Sequence, residues 1–242
     1  MNQTFPENIS KNLGNFRTIQ SFLSFYCKST RMMQSQNQLS PQLVAILNQA
    51  EELFLNYGIR SVAMDDIARK LGMSKKTLYQ YVDNKDDLVM RVNAKLILEE
   101  TADIQRIFEE TENAIEQLWR VARMNLKHLR KVKPTVIYDL QKYYGKVWKA
   151  MQEHNGTTVV HLMVRNLRAG QEQGLYRNDF DPVTISKMHI AACWNLVNEN
   201  VFPLSDYPRT DLFVEYIKYH VYGVVTERGR EAFEDFLKQG FE

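Results

Sequence analysis

The sequence predicts an all-α fold, in which a small N-terminal three-helix unit is joined by a long helix to a larger helical domain. Apolar residues recur at spacings of three and four along most of the 242 residues. Glycine and proline, with 10 and 6 residues, are too sparse for the many turns of an all-β fold. Hydrophobic residues make up 44% of the chain, so we expect one large core or two smaller ones.

Residues 1–38 show neither sustained helical periodicity nor a turn-delimited pattern. We interpret them as a disordered or loosely packed extension. Two alternatives stay open: a short helix over residues 16–26, and translation that starts at Met32 or Met33. The apolar run over residues 19–27 has no small-residue cleavage site, so we expect no signal peptide.

Cysteine usage and hydropathy predict a cytoplasmic protein that does not enter a membrane. The two cysteines, Cys27 and Cys193, are far apart in sequence and do not form a disulfide framework. No apolar run approaches the roughly 18 residues of a membrane span. The five histidines show no spacing typical of metal ligands, and we expect neither a metal nor a cofactor.

The first helix is predicted from Ser40, a capping residue followed by Pro41, to Gly58. One face of it is apolar, with Leu43, Leu47, Ala50, Phe54 and Tyr57 at helical spacing. That face needs a partner, which the next two helices supply.

Two short helices with a tight turn between them are predicted over residues 62–88. Asp65 and Asp66 open the first helix, Gly72 ends it, and Ser74 caps the second. The second helix has a narrow apolar seam, Leu78 and Val82, and an outward polar face, Lys75, Lys76, Thr77, Tyr79, Gln80 and Tyr81. Lysines, hydroxyls and an amide on a short anchored helix suit the major groove of DNA. The two tyrosines alternatively pack within the three-helix unit.

The net charge of +2 does not by itself indicate a nucleic-acid-binding protein. From residue 40 to residue 100 there are 8 Lys and Arg against 9 Asp and Glu. The basic residues cluster locally, at Arg69, Lys70, Lys75, Lys76 and Lys85. We therefore expect a small DNA-binding face on a near-neutral unit.

The rest of the chain is predicted to be helical. Asn84 caps a long helix that runs to about residue 112 without Gly or Pro, and the next helix ends in a basic run at residues 128–133. We interpret that run as a solvated helix end, where positive charges are favourable, in preference to the alternative of a second DNA contact. Further helices are predicted over residues 136–143, 147–153, 157–173, 181–201, 211–227 and 231–237.

The last long helix is apolar most of the way round, which indicates burial on more than one side. We predict that it forms a four-helix dimer interface together with residues 181–201. The predicted interface residues are Phe213, Tyr216, Ile217, Val221 and Val224.

A ligand cavity in the helical body is a second hypothesis, to which an ordinary filled core is the alternative. Its candidate lining residues are Trp119, Met124, Tyr138, Tyr143, Trp148, His161 and Trp194. We find no nucleophile elbow, phosphate loop, zinc spacing or paired carboxylates, and predict that the chain is not an enzyme. Asp139 is interpreted as a helix-surface or buried hydrogen-bonding residue.

The order of motifs over residues 39–99 resembles the tetracycline-repressor (TetR) family of bacterial regulators. The similar residues are Gly58, Asp66-Ile67-Ala68, Gly72-Met73-Ser74, Thr77-Leu78-Tyr79, Asn84-Lys85 and Leu88. The resemblance implies a helix-turn-helix DNA-binding domain at 39–99 and a ligand-binding and dimerisation domain at 100–242. It also implies a homodimeric repressor that binds a palindromic double-stranded operator and is released by a small molecule, apolar or aromatic in this chain. A regulator without a ligand, whose body only dimerises or binds protein partners, is the alternative.

The resemblance also implies roles for individual side chains. It places Lys75, Lys76, Thr77 and Gln80 near base edges, and Tyr79, Tyr81 and Lys85 at backbone phosphates. The family often has a threonine where this chain has Ala63, which cannot cap a helix or contact a phosphate. We expect Ser61 or Asp65 to compensate for the lost cap.

Overall fold

The computed structural model of the chain describes residues 40–241. The chain divides into two compact units, Met1–Ile46 and Leu47–Glu242, and only residues 40–46 of the first are described. The predicted extension over residues 1–38, with its alternatives and Cys27, lies outside the described residues.

Residues 40–241 form α-helices joined by short connections, without a β-sheet among them, which confirms the predicted fold class. The helices are α1 (Pro41–Tyr57), α2 (Met64–Lys70), α3 (Lys75–Leu78), α4 (Lys85–Glu110), α5 (Ala114–Lys131), α6 (Pro134–Tyr143), α7 (Gly145–His154), α8 (Val160–Glu172), α9 (Pro182–Leu196), α10 (Arg209–Val224) and α11 (Glu227–Lys238). None of these helices is both long enough and apolar enough to cross a membrane.

A π-helical turn at Asn155–Val159 joins α7 to α8, where the sequence predicted a break. The wider turn leaves backbone carbonyls without their usual partners. The hydroxyl of Thr157 donates to the carbonyl of Glu153 at 2.7 Å and to that of His154 at 3.2 Å. The helical path therefore continues through Gly156 instead of ending there.

Helix α9 ends at Leu196, five residues before the predicted end. The amide of Asn198 donates to the carbonyl of Asn195, and the amide of Asn200 donates to the Asn198 side chain at 3.1 Å. Asparagine side chains compete for backbone hydrogen bonds in this way and favour turns over helix.

The core of the larger domain lies between α5, α8, α10 and α11. Its buried members include Ile115 and Trp119 of α5, Leu167 of α8, Val221 of α10 and Phe233 of α11. The rings of Trp119 and Phe236 lie 5.1 Å apart.

Helix α4 connects the three-helix unit to this domain. Its first turn is capped by Asn84, whose side-chain oxygen accepts from the amide of Asp87 at 2.9 Å. The helix has 26 residues, which corresponds to about 39 Å at the usual helical rise. Leu88 and Val92 are buried in its first turns, and Ile104 and Phe108 are buried in its last turns. One stiff element therefore belongs to both parts.

Candidate nucleic-acid interface

Helix α3 is held by buried apolar side chains and presents its polar side chains to solvent. Leu78 is fully buried and Val82, just after the helix, is almost so. Ser74 caps the helix, because its hydroxyl oxygen accepts from the amide of Thr77 at 3.0 Å. Lys76 and Gln80 are exposed, and their side chains have no hydrogen-bond or ion-pair partner within residues 40–241.

The turn between α2 and α3 depends on a glycine. Gly72 has φ +63°, in the left-handed region that residues with a Cβ rarely adopt. The next amide, of Met73, donates back to the carbonyl of Ala68 at 3.0 Å. This closes α2 and brings Ser74 into position to start α3.

Two of the predicted base-contacting side chains already have partners in the protein. The ammonium of Lys75 donates to the carboxylate of Asp65, with the nitrogen and oxygen atoms 3.0 Å apart. This hydrogen bond and the negative charge of Asp65 raise the pKa of Lys75. The hydroxyl of Thr77 lies 2.8 Å from that of Ser74. Lys76 of α3 and Gln80, in the turn just after α3, are therefore the predicted base-contacting side chains most available for DNA.

The predicted phosphate-contacting residues lie at the end of α3 and the start of α4. Tyr79 is exposed and Tyr81 is half-buried. The ammonium of Lys85 donates to the backbone carbonyl of Arg60 at 3.2 Å, and partial burial lowers its pKa. Lys85 thus fastens the α1–α2 turn to α4 while it remains partly accessible. Arg60, which sequence reasoning missed, lies exposed beside it.

Helix α2 begins without a side-chain cap at Ala63. The expectation that Ser61 or Asp65 compensates is wrong. The Ser61 hydroxyl donates to carbonyls at the end of α1, including that of Gly58 at 3.1 Å, and Asp65 pairs with Lys75. Instead the carboxylate of Asp66 accepts from the amide of Ala63 at 2.9 Å, as the third residue of a helix does in a capping box.

Helix α6 packs on the turn between α1 and α2. The carboxylate of Asp139 accepts from the backbone amide of Arg60 at 2.8 Å, and the Arg60 guanidinium donates to the hydroxyl of Tyr143 at 2.5 Å. Asp139 is buried, in agreement with its interpretation as a buried hydrogen-bonding residue. Lys133, just before α6, donates to the carbonyl of Asn56. These contacts join the larger domain to the three-helix unit.

The seven residues predicted to line a ligand cavity do not meet in one place. Trp119 is buried in the core, Met124 is half-buried, and His161 is exposed. The other four form two ring pairs, Trp148 with Trp194 at 4.8 Å and Tyr138 with Tyr143 at 6.3 Å. Both Tyr138 and Tyr143 lie exposed on α6, where Tyr143 contacts Arg60 instead of a cavity.

A cavity of about 100 Å³ does lie between α4, α5, α8, α9 and α10, lined by other residues. Most of its wall is apolar, for example Phe108, Met163 and Phe213, and it includes the polar residues Glu100 and Asn125. Sequence reasoning missed Glu100. The available signal was its place in the helical series 93, 97, 100, 104 and 108 of α4, whose other members are all buried.

One end of the cavity is formed by the half-buried His189 and Cys193, and the buried His220 packs against His189. The Tyr216 hydroxyl lies 3.0 Å from Nδ1 of His189, and the Cys193 thiol lies 3.5 Å from Nε2. The rings of His189 and His220 are 4.4 Å apart. Burial lowers the pKa of His189 well below its usual value and that of His220 to about 4, and raises the pKa of Cys193 to about 12. This wall is therefore uncharged at neutral pH.

The predicted dimer interface is wrong for three of its five residues. Ile217, Val221 and Val224 are buried in the core of their own chain, so they cannot form a surface for a second subunit. Phe213 and Tyr216 are partly buried against the same core. The outer surface of α9 and α10 instead carries Met188, Tyr219 and Tyr222.

Comparison with known proteins identifies the three-helix unit. Residues 46–92 match the family model of bacterial regulatory proteins of the tetR family. An uncharacterised HTH-type transcriptional regulator of Haemophilus influenzae is 25% identical over 112 residues, covering 46% of this chain and 58% of that protein. The HTH-type transcriptional regulator YvaF of Bacillus subtilis is 32% identical over 89 residues, covering 36% and 47%. The matches thus span about half the length of these relatives.

The fold of most of the described residues has solved counterparts. A transcriptional regulator from Cytophaga hutchinsonii superposes with a TM-score of 0.62 at 18% identity, covering 77% of this chain and all of that one. At this identity the similarity shows a shared fold.

Proposed function

We propose that the chain is a regulator of the tetR type, which the match of residues 46–92 to that family model and the two HTH-type relatives support. It is a sequence-specific DNA-binding transcriptional regulator that acts as a homodimeric repressor and leaves its operator when a small molecule binds. Residues 39–99 form the DNA-binding domain, and residues 100–242 bind the ligand and the second subunit.

The presentation of α3 is the observation that carries this proposal. Leu78 is buried and Ser74 caps the N-terminus of the helix. Lys76 of α3 and Gln80, in the turn that follows it, extend into solvent without partners among the described residues. A lysine can donate to guanine and a glutamine can pair with adenine in the major groove. Tyr79 and Lys85 flank these side chains and suit phosphates, which set the register without specifying sequence.

A second copy of the chain supports recognition, because a four-residue helix reads few base pairs. We propose that the copies meet through the outer faces of α9 and α10. Met188 and Tyr219 are large and exposed there, and the exposed residues recur at helical spacing on both helices. A twofold axis at this surface would pair two α3 helices with the two halves of a palindrome.

The ligand-free alternative is a regulator whose body only dimerises or binds a protein partner. A closed, filled core would favour that alternative, and an apolar cavity with a few polar groups favours a ligand. The cavity between α4 and α10, which includes Glu100 and Asn125, supports the ligand-responsive version. Helix α4 lines this cavity and also begins at the DNA-binding domain, so a ligand can bias the position of that domain.

The proposal is tested by selecting duplexes from a random DNA library with the purified full chain. We expect enrichment of an inverted repeat, and salt-dependent binding of the selected duplex as lysines displace counterions from phosphates. The Lys127→Ala variant, which removes an exposed lysine from α5, is the control and should select the same sequence. Absence of any enriched sequence would contradict the proposed function.

A further inference from the structure

The cavity in the larger domain contains an acidic side chain with no counterion. Glu100 lies on α4 among the apolar residues Ile104, Phe108 and Ile217, which line the same space. Its carboxylate forms no ion pair and no hydrogen bond with any residue between 40 and 241. The neighbouring Glu99, in contrast, pairs with Lys95 at 3.0 Å.

An unpaired carboxylate in such a place is costly. Burial disfavours the charged form, and it raises the pKa of Glu100 with no opposing charge or hydrogen bond. Glu100 is half-buried at the cavity wall. Carboxylates that are partly withdrawn from water are normally paired, so an unpaired one that lines a cavity indicates a partner that enters from outside.

The other polar groups of the wall divide into engaged and available ones. Asn166 donates to the carbonyl of Ala114 at 2.8 Å and accepts from the Tyr176 hydroxyl at 3.1 Å. His189 is held by Tyr216. Asn125 of α5, however, has no side-chain hydrogen bond within the described part of the chain. Glu100 and Asn125 are thus the two groups left to bind a ligand.

We propose that this cavity binds a small apolar molecule bearing one ammonium group, with the Glu100 carboxylate as its counterion and the Asn125 side chain as a further hydrogen-bond partner. The cavity volume of about 100 Å³ limits the size of the ligand. An apolar cavity of about 150 Å³ accepts a benzene-sized molecule, so a short alkylamine fits here. The aliphatic part lies against Phe108, Met163 and Phe213.

This inference deepens the proposed function, and its effect on DNA rests on it. Glu100 belongs to the helix that starts beside the DNA-binding residues, so pairing it with a cation changes the energetics of the element that joins the two parts. Binding of the amine does not require DNA to be present. It is therefore measured without DNA, so that failure of the ligand site and failure of DNA binding are separate results.

The test uses the full chain and compares n-butylamine hydrochloride with 1-butanol, at matched ionic strength and neutral pH. Thermal melting and calorimetric titration are recorded for the wild type and for Glu100→Gln. Glu109→Gln is the matched control, because Glu109 lies on the same helix but is exposed. Far-ultraviolet circular dichroism checks that each variant folds.

We expect n-butylamine to raise the Tm of the wild type and of Glu109→Gln more than 1-butanol does. Glu100→Gln should bind the amine at least about tenfold more weakly, the usual loss for a hydrogen bond to a charged group, while its response to 1-butanol is retained. Equal binding of the amine by wild type and Glu100→Gln would overturn the proposal. So would an equal response of the wild type to amine and alcohol, or no response to the amine.

Discussion

The carboxylate of Asp139 accepts a hydrogen bond from the backbone amide of Arg60, with the nitrogen and oxygen atoms 2.8 Å apart. Gly58, two residues before Arg60, has φ +85° and lies close against α6. A Cβ at Gly58 would be 3.3 Å from the hydroxyl oxygen of Thr135. The turn that follows α1 is therefore fitted to α6, which gives the larger domain a hold on the DNA-binding unit besides α4.

Removing the hydrogen bond between Asp139 and the Arg60 amide should destabilise the protein. We expect Asp139→Ala to lower the free energy of unfolding by about 1–3 kcal/mol, because the Arg60 amide loses its acceptor in a partly buried site. Asp139→Asn retains a side-chain oxygen and should lose less. Urea unfolding of both variants measures the difference. Equal stability of Asp139→Ala and wild type would show that the hydrogen bond has no net effect.

The cap of α3 gives a prediction that separates folding from DNA binding. Ser74→Ala should destabilise the protein by about 1 kcal/mol, because the Thr77 amide loses its acceptor. Ser74→Asp restores an acceptor and should unfold near the wild-type denaturant midpoint. The new negative charge beside the proposed DNA surface should nevertheless weaken binding to every duplex. Wild-type DNA affinity of Ser74→Asp would argue against α3 as the DNA-binding helix.

Local sequence signals predicted the starts of α3 and α4 closely, but α3 ends at Leu78, before the predicted helical positions Gln80 and Val82. Ser74 and Asn84 were expected to cap α3 and α4, and each does so with its side chain. These predictions succeeded because a cap depends on a few neighbouring residues. The replacement of the missing cap at Ala63 by Asp66 was equally local, but the candidates Ser61, Asp65 and Asp66 all lie within one six-residue stretch.

Tertiary partners were predicted less well. The apolar face of α10 was recognised, but periodicity does not say what covers a face, and Val221 and Val224 are covered by their own chain. The prediction of the cavity-lining residues was wrong for the same reason. An aromatic side chain can line a cavity or fill a core, and Trp119 fills the core. Glu100 carried the better signal, an acidic residue within an apolar helical series.

The proposed dimer surface predicts a change of oligomeric state from one substitution. Tyr219 is 78% exposed, so Tyr219→Glu should leave the fold of the chain intact. In a dimer that meets through α9 and α10, the same change buries two glutamates and should shift the protein to monomers. Sedimentation velocity measures this shift. Tyr57→Glu, at a tyrosine that is 67% exposed on α1, is the control and should sediment like the wild type.

The buried histidines predict a loss of stability in mild acid. Burial holds the pKa of His220 at about 4, below its usual value of 6.5, so the unfolded chain binds the proton first. The stabilisation of the folded state by neutral His220 is therefore complete above pH 6.5, and it is lost as the pH falls towards 4. A shift of this size corresponds to a few kcal/mol at most, at about 1.4 kcal/mol per unit. His220→Phe should unfold with a shallower pH dependence in that range, as followed by urea titrations. An unchanged slope would contradict the assignment.

The most direct test of the account measures how single substitutions change binding to a selected operator and to a random duplex. Gln80→Ala should lose about 1–3 kcal/mol on the operator and little on the random duplex, because its side chain meets a base edge. Lys85→Ala should weaken both duplexes alike, since a phosphate contact carries no sequence preference. Fluorescence anisotropy at fixed salt gives all four affinities, with Lys127→Ala as the control. Equal losses on the two duplexes for Gln80→Ala, or no loss for either variant, would contradict sequence recognition by α3 and the turn that follows it.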